Sequence, residues 1–290
     1  MRSFLFVPAD STRKLDKAMT SGADALLIDL EDSIAPDGKA RARENAAAFI
    51  KSALTATPRP FLCVRVNGLQ TGLADADLDA VAPAKPDAIM LPKAEGGASV
   101  IHAAAKLEVR EAQNELPDGH IKILPIATET AASLFVAGTY AGASPRLIGL
   151  TWGAEDLSAE LGAHANRDTQ GHFFDPYRLA RALCLAGAAA AQVPAIDTVY
   201  VDFRNEAGFR RESENAARDG FVGKMAIHPA QIPIINAAFT PSPEALTHAQ
   251  AIVDAFAKNP GAGVVGIAGV MYDRPHLARA ERLLARVAKG

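Results

Sequence analysis

Cysteine is almost absent from this 290-residue chain, and the two that occur argue against a cross-linked or zinc-bound fold. Cys63 and Cys184 lie far apart in the sequence, and each stands in an apolar setting. Such positions are typical of reduced cysteines in a hydrophobic core, rather than of a disulfide framework or a zinc site. The seven histidines show no metal-ligand spacing either.

Strong net charge and long apolar runs are missing as well. The formal net charge is −3, without the basic excess that a general nucleic-acid binder carries. No uninterrupted apolar stretch approaches the roughly 20 residues that are needed to cross a bilayer. Near the N-terminus, Pro8 and Asp10 interrupt the apolar run too early for a signal peptide. We therefore expect a cytoplasmic protein with no nucleic-acid partner and no membrane partner.

What the chain does have is a repeated pattern in which a short apolar run ends in charged residues. Such a run is typical of a parallel strand buried on both faces, so its first polar residue marks the carboxyl end of the strand. Eight runs are found, at residues 3–7, 25–29, 61–66, 88–91, 122–126, 147–150, 195–201 and 223–227. Helical segments separate them, and the count predicts a (β/α)8 TIM barrel. A doubly wound open sheet is the alternative, but its glycine-rich phosphate turn is missing after the first strand.

The last fifty residues exceed what a catalytic barrel of residues 1–240 needs. Within residues 241–290, an amphipathic helix is predicted at 243–258 and a Pro/Gly break at 260–263. A loop is predicted at 267–274, and a final helix from residue 275 to about residue 288. We interpret this segment as a C-terminal helical extension that can cover a barrel mouth, either that of its own subunit or that of a neighbour.

Two carboxylates follow neighbouring strands of the predicted barrel. Glu129 comes a few residues after the fifth strand, and Asp156 a few residues after the sixth. The carboxyl ends of barrel strands form one rim, where these folds hold their active sites, so the two side chains are expected to converge. Two carboxylates, completed by water and substrate oxygens, are a usual ligand set for Mg²⁺. Each residue could instead cap the helix that follows it.

An acidic segment follows the second apolar run, and an arginine lies within the third. Arg65 alternates with the apolar Val64 and Val66, so it is expected to face the barrel interior or rim. An arginine there requires an anionic partner. One possible partner is a carboxylate or enolate oxygen of the substrate. The alternative partner is Asp29 or Glu31, in a structural ion pair.

Lys93 follows the fourth strand and raises a different chemistry. A lysine inside a barrel can form a Schiff base with a carbonyl substrate. The alternative is a salt bridge to Glu95 or to the acidic rim that includes Asp32. We favour the salt bridge, because the carboxylate pair already offers a metal-assisted route to an enolate.

Backbone groups and a histidine complete the candidates. Gly153, Ala154 and Glu155 precede a helix and can present N–H groups to a substrate carboxylate, although the same residues would make an ordinary tight turn. His228 follows the eighth strand, and a hydrogen-bonded structural role is favoured there over that of a general base.

A set of short segments, taken in this order, carries a family resemblance. The segments are RSFLFVP at residues 2–8, GADA at 22–25, DLED at 29–32, VRVN at 64–67, MLPK at 90–93, ET at 129–130, GAEDL at 153–157, AIDT at 195–198 and AIHP at 226–229. Through them the chain resembles, nearly end to end, the citrate lyase beta-subunit-like group of the HpcH/HpaI aldolase family. That group includes malyl-CoA lyases and related acyl-CoA enzymes.

The resemblance implies an eight-stranded barrel assembled as trimers or hexamers, with Mg²⁺ and a CoA thioester. It implies Glu129 and Asp156 as metal ligands, and Arg65 as the residue that steadies a carbonyl or enolate oxygen. The segment GVMYDRP at residues 269–275 resembles one whose aspartate, here Asp273, reaches a neighbouring subunit's site as acid or base. From the sequence alone, Asp273 would cap the final helix.

The function that the resemblance implies is cleavage or formation of a β-hydroxyacyl-CoA, such as malyl-CoA or citryl-CoA, to or from a keto acid and acetyl-CoA. Arg2, Arg13 and Lys14 are candidates for contacts to the CoA phosphates, with a solvated helix face as the alternative. Two rival functions keep the same site. One is hydrolysis of the thioester, and the other is a citrate lyase beta subunit that is inactive without a partner carrying the acyl group.

Overall fold

A computed structural model describes residues 1–287 and separates the chain into two units, with the boundary between Phe239 and Thr240. In the first unit, strands and helices alternate along the chain. The strands are β1 (Ser3–Pro8), β2 (Ala25–Asp29), β3 (Phe61–Arg65), β4 (Ala88–Leu91), β5 (Lys122–Pro125), β6 (Leu150–Thr151), β7 (Ala195–Asp197) and β8 (Gly223–Ala226). The helices are α1 (Thr12–Ala18), α2 (Lys39–Ala53), α3 (Ala74–Val81), α4 (Gly96–Gln113), α5 (Ala131–Leu134), α6 (Glu155–Glu160), α7 (Asp175–Ala190), α8 (Glu206–Asp219) and α9 (Ile232–Phe239).

The eight strands form one parallel sheet that is nearly closed on itself. Their order is β5-β4-β3-β2-β1-β8-β7-β6, and every neighbouring pair is parallel. Isolated bridges from Ile123 to Leu147 and from Ile126 to Thr151 join the two end strands. The sheet is therefore a (β/α)8 barrel, as predicted.

Side chains alternate between the two faces of the barrel wall, as the two-residue period of a strand requires. Inward-pointing residues such as Leu27, Met90 and Met225 form one buried cluster. Outward-pointing residues such as Leu26 and Ile28 pack into the larger core beneath the helices. The interior is thus filled by side chains, so a ligand can approach only the ends of the barrel.

Two strands differ by more than one residue from the sequence prediction. β7 ends at Asp197, although the apolar pattern runs to residue 201, because Thr198 and Val199 leave the sheet and line a cavity. β6 comprises only Leu150 and Thr151, whereas the pattern predicts residues 147–150. β6 is therefore the shortest strand of the barrel wall.

The second unit begins at Thr240 and contains two helices and a hairpin. Its elements are α10 (Pro243–Lys258), β9 (Val264–Ile267), β10 (Val270–Asp273) and α11 (Arg274–Val287). Because β9 and β10 pair in antiparallel fashion, the loop predicted at 267–274 is wrong. Ala268 and Gly269 both have positive φ angles, which suit the two-residue turn of such a hairpin. The predicted helix end near residue 288 lies outside the described residues.

The second unit has a small core of its own, which includes Ile252, Phe256 and Val265. This core packs α10 and α11 against one face of the hairpin. Across the part of the chain that the structure describes, none of the helices is long and apolar enough to cross a membrane.

Candidate functional site

A cavity of about 350 Å³ opens at the carboxyl ends of the barrel strands. Its lining comes from the ends of β1, β2, β3 and β8 and from the loops after β2, β5, β6 and β7. The predicted residues among its lining are Asp29, Asp32, Arg65, Glu129, Gly153, Ala154, Glu155 and Asp156. Eight residues that the sequence singles out therefore meet in one place.

Arg65 makes a two-pronged ion pair with Asp29 at the ends of β3 and β2. Its Nε and Nη2 atoms donate to the two carboxylate oxygens of Asp29, each at 2.7 Å. Burial would raise the pKa of Asp29, but Arg65 brings it below its ordinary value, so Asp29 is ionised. The structural ion pair, which was one of the two alternatives for Arg65, is thus present.

The third guanidinium nitrogen of Arg65 is placed differently. Nη1 lies 3.0 Å from Oε2 of Glu31, but without hydrogen-bond geometry, and this buried Glu31 oxygen has no hydrogen-bond partner among the described residues. The Arg65 side chain is 13% exposed and lies over the Phe6 ring at 4.8 Å. Nη1 therefore retains N–H capacity at the cavity wall for an oxygen of a ligand.

Lys93 occupies a cationic position among the rim carboxylates. Its Nζ donates to Glu31 Oε1 at 2.5 Å and lies 3.4 Å from Asp156 Oδ1 and 3.6 Å from Asp32 Oδ2. Burial would lower the pKa of Lys93, but these acids, Glu31 foremost, raise it above its ordinary value. Lys93 is therefore an ammonium ion and a poor nucleophile, as the favoured salt-bridge interpretation requires. Its partner is the acidic rim and not Glu95.

Glu129 is a buried carboxyl group whose negative charge is incompletely balanced. Its Oε2 accepts a hydrogen bond from the backbone N–H of Lys93 at 2.6 Å. Burial, with smaller contributions from Asp156 and Glu31, raises the pKa of Glu129 to about 8. A Cβ at Gly153 would come within 2.7 Å of Glu129 Cγ, so only glycine fits beside this side chain. The Glu129 carboxyl is thus held in a tight cradle.

Asp156 stands in the first turn of α6, with its side chain one-third exposed to the cavity mouth. The loop from Gly153 brings α6 directly off the short strand β6, so the side chain returns towards the rim. Glu155 instead accepts a hydrogen bond from Asn166 at 2.9 Å. Of these two neighbouring acids, Asp156 is the one that faces Lys93.

The carboxylates at this rim fit a hard divalent cation. The ionised form of Glu129 lacks a full countercharge, and a cation between Glu129 and Asp156 would supply it. Carboxylate oxygens are ligands that Mg²⁺ prefers. Within residues 1–287, no group of three or more His, Cys, Asp or Glu side chains is arranged to hold a metal ion. A cation at this rim would therefore have at most two carboxylate ligands from such a group, Glu129 and Asp156, and would need water or substrate oxygens at its other positions.

The three cations near β1 lie in different places. Arg2 precedes β1 at the amino end of the barrel and donates to Asp24 through its Nε and Nη2 atoms at 3.1 and 3.0 Å. The cavity lies at the opposite end of the barrel, at the carboxyl ends of the strands. Arg2 is therefore too far from the cavity for the expected contact with CoA phosphates there. Arg13 and Lys14 are exposed in α1, which starts from the carboxyl end of β1.

His228 has a structural role in this arrangement. Its ring stacks on Phe203 with centroids 4.8 Å apart, and its Nδ1 accepts a hydrogen bond from the backbone of Ala230 at 3.2 Å. Both contacts are those of a helix-capping side chain on the surface.

Asp273 lies in the second unit, at the end of β10 and on the outward face of the hairpin. The same face carries Val264 and Met271, which are 50% and 65% exposed. Asp273 accepts a hydrogen bond from the backbone N–H of His276 and contacts its ring, so it caps α11. The His276 contact lowers the pKa of Asp273, which is therefore ionised.

Sequence reasoning missed the partners that orient these groups. His276 stands three residues after Asp273, a spacing at which side chains meet in the first turn of a helix, so the pair was within reach of a sequence argument. The indole N–H of Trp152 donates to Asp197 at 2.8 Å, which no sequence pattern indicated. Lys93 has a positive φ of 51°, and only the folded loop reveals it.

Known proteins are similar to this chain over most of its length. A model of the HpcH/HpaI aldolase/citrate lyase family matches residues 2–229. The (3S)-malyl-CoA thioesterase of Cereibacter sphaeroides is 38% identical over 98% of this chain and 94% of its own length. The mitochondrial citramalyl-CoA lyase of Rattus norvegicus is 33% identical over 98% of this chain and 85% of its own.

A solved structure is similar over the whole chain. The crystal structure of protein CitE from Mycobacterium tuberculosis, in complex with magnesium, acetoacetate and coenzyme A, has a TM-score of 0.78 and 33% sequence identity. The similarity covers 99% of this chain and 98% of that one.

The buried carboxyl of Glu129 makes the stability of the metal-free protein depend on pH. Its folded-state pKa of about 8 exceeds the ordinary value of 4.5, so the folded protein binds the extra proton between these values and loses stability as the pH rises through this window. Glu129→Gln keeps an acceptor for the Lys93 N–H and removes the charge. As the pH rises from about 5 to about 8, we expect the free energy of unfolding of the variant to increase by about 2–4 kcal/mol relative to that of the wild type.

The measurement is urea unfolding in EDTA at several pH values. Glu160→Gln, an exposed change at the end of α6, is the control and should follow the wild-type curve. Parallel pH curves for Glu129→Gln and the wild type would contradict the assignment.

Proposed function

Because this chain belongs to the HpcH/HpaI aldolase/citrate lyase family, we propose that it is a Mg²⁺-dependent carbon–carbon lyase that acts on a β-hydroxyacyl-CoA. Malyl-CoA and citryl-CoA are examples of this substrate class, and a keto acid and acetyl-CoA are the products. The supporting observation is the single cavity that Arg65, Glu129 and Asp156 line together. A relative named citramalyl-CoA lyase and a solved CitE complex with magnesium and coenzyme A support the class of reaction.

Glu129 and Asp156 are proposed to hold Mg²⁺ at the rim. When bound, the ion would polarise the carbonyl of the keto acid that forms as the carbon–carbon bond breaks. Glu129 enters from the buried side, anchored by the Lys93 N–H, and Asp156 from the exposed side. Substrate oxygens and water would complete the ligand set of the ion. The backbone of Gly153, Ala154 and Glu155, which lines the same cavity, is placed to receive a substrate carboxylate.

Arg65 is proposed to stabilise the oxygen whose charge changes during the reaction. Two of its nitrogens are fixed by Asp29, so the guanidinium cannot rotate away from the cavity. Nη1 is not used in the bond to Asp29, so it is the nitrogen proposed to donate to a ligand. A pre-oriented donor of this kind stabilises charge in the transition state without reorganisation.

Asp273 is proposed to move the proton at the CoA-derived carbon, acting on the barrel of a neighbouring subunit. In the cleavage direction the substrate hydroxyl loses its proton to water as the carbon–carbon bond breaks and the keto acid forms, and the carbon of the acetyl-CoA enolate takes a proton from the protonated form of Asp273. In the condensation direction the ionised Asp273 removes a proton from the acetyl-CoA methyl carbon, and the new hydroxyl oxygen takes up a proton from water. The apolar side chains beside Asp273 on the hairpin are typical of a surface that is covered by protein. We therefore propose a homo-oligomer, a trimer or a hexamer, in which residues 241–290 complete a neighbour's site.

Arg13 and Lys14 are proposed as contacts for the CoA phosphates. Both are exposed at the start of α1, on the side of the barrel that carries the cavity. Arg2 is left out of this proposal because it belongs to the opposite end of the barrel.

Thioester hydrolysis is the second candidate function. The 38% identity to a (3S)-malyl-CoA thioesterase favours it, since hydrolysis can proceed on the same substrate and metal site. The two reactions differ in their products. A lyase releases keto acid and acetyl-CoA, whereas a thioesterase releases the free hydroxy acid and CoA.

We expect purified protein to release keto acid from malyl-, citramalyl- or citryl-CoA only with Mg²⁺. Asp156→Asn removes a ligand charge and should lower this turnover by roughly 100-fold or more. Glu160→Gln on the same helix is the control and should keep full activity. Release of the hydroxy acid and CoA without keto acid would favour the thioesterase. Inactivity on every free CoA thioester would favour a subunit that depends on an acyl-carrying partner.

A mixing experiment tests whether Asp273 acts across subunits. Asp156→Asn and Asp273→Asn should each be inactive alone, because one lacks a metal ligand and the other the proton carrier. When the two are co-expressed, mixed oligomers would contain sites with neither change, so we expect part of the activity to return. Each variant co-expressed with itself is the control. No recovery in mixed oligomers, whose formation is checked by differently tagged subunits, would contradict a shared site.

A further inference from the structure

Trp152, the only tryptophan of the chain, lies beside the shortest strand of the barrel wall, β6, and lines the cavity. It follows β6 directly and precedes Gly153, and it is fully buried. β6 pairs with β7 through two residues, Leu150 and Thr151, and its side of the wall meets β5 only through isolated bridges. The main chain alone therefore gives little support to the loop that leads to Asp156.

A buried ion pair behind the wall supplies the missing support. The Trp152 Nε1–H donates to Oδ1 of Asp197 at 2.8 Å, and the Nζ of Lys224 donates to Oδ2 of the same carboxylate at 2.6 Å. Asp197 ends β7 and Lys224 lies in β8. The carboxylate at the end of β7 thus ties the residue after β6 to the second residue of β8.

Asp197 is held as an anion in this position. Burial would raise its pKa, but Lys224 and Arg181 bring the pKa below its ordinary value. A hydrogen bond to an ionised acceptor is stronger than one between neutral groups, so the indole is firmly fixed. Lys224 also donates to Glu212 at 2.9 Å, which keeps the cluster paired on its outer side.

The other side of the indole is fixed by aromatic packing. The ring of Phe173 meets Trp152 edge to face with centroids 5.0 Å apart, and the guanidinium of Arg167 covers the Phe173 ring at 3.5 Å. With its N–H bonded and its ring packed, Trp152 has one orientation. The backbone of the next residue, Gly153, is set by that orientation and lies against Glu129.

We propose that Asp197 is a positioning residue of the site: through the indole N–H of Trp152 it holds the loop 153–156, and so the direction in which Asp156 meets Glu129. Asp197 is not among the residues that line the cavity. The proposal rests on the proposed function only for its consequence at the metal site, while the loop itself can be observed without any ligand.

Two single variants and their combination test this link. Trp152→Phe keeps an aromatic ring and removes the N–H, and it leaves the Asp197–Lys224–Arg181 cluster intact, so the fold is preserved. Asp197→Asn removes the charge while keeping the shape. The matched control is Asp219→Asn, because Asp219 binds the same Arg181, at 2.8 Å, on the outside of the cluster and has no contact with Trp152.

The first readout is amide hydrogen exchange of residues 152–160 in metal-free protein. We expect faster exchange there in Trp152→Phe and in Asp197→Asn, and wild-type exchange in Asp219→Asn. Unchanged exchange in Trp152→Phe would overturn the proposal, whatever the metal data show. Equal acceleration in Asp219→Asn would also overturn it, because the effect would then belong to the whole charge cluster.

The second readout is the affinity for Mn²⁺, measured by electron paramagnetic resonance as a stand-in for Mg²⁺. Each single variant should bind Mn²⁺ about tenfold more weakly, at the lower end of the range for residues that support metal ligands. The double variant should be little weaker than either single one, since both changes break the same link. Independent, multiplied losses would overturn the proposal. If the wild type binds no Mn²⁺ but both variants show faster exchange, the proposed metal function is wrong and the positioning role is supported.

Discussion

The ion pair between Arg65 and Asp29 is the contact on which the rest of the rim depends. It joins the ends of β3 and β2 and leaves Glu31 to be shared between Arg65 and Lys93. The backbone of Lys93 in turn holds Glu129 after β5, and its ammonium reaches Asp156 after β6. Charged groups from five successive parts of the barrel are thereby linked into one chain of contacts, so a change at one end alters the field at the other.

Acids outnumber cations along this chain of contacts, and Glu129 is the acid whose charge lacks a countercharge. Asp29 and Glu31 are each matched by a nearby cation, whereas Glu129 receives a single backbone hydrogen bond while fully surrounded by protein. The excess negative character is what distinguishes this rim from a set of structural salt bridges. By contrast, Asp197 behind the wall, bonded to Lys224 and within 3.4 Å of Arg181, is fully compensated. Glu129 and Asp197 therefore differ in charge balance and not in burial.

Much of this arrangement could be predicted from the sequence, and the remainder could not for physical reasons. Unbroken apolar runs indicate parallel strands, and the polar residues after them indicate the rim, which is why the barrel and the meeting of Arg65, Glu129 and Asp156 were accessible. The choice between Glu95 and the acidic rim as the partner of Lys93 was not, because it depends on how loops from distant segments fold over each other. The hairpin was missed because β10 carries exposed Val270 and Met271 without the alternation that marks a strand.

Lys93 serves the rim in two ways that are chemically separable. Its amide proton, directed at Glu129 by the left-handed backbone, is supplied by every amino acid except proline, and a glycine would adopt that conformation without strain. Its ammonium group is supplied by lysine alone. A substitution at position 93 can therefore change the charge of the rim while the backbone hydrogen bond to Glu129 is kept. The electrostatics of the rim can thus change at this position without a change in the loop conformation.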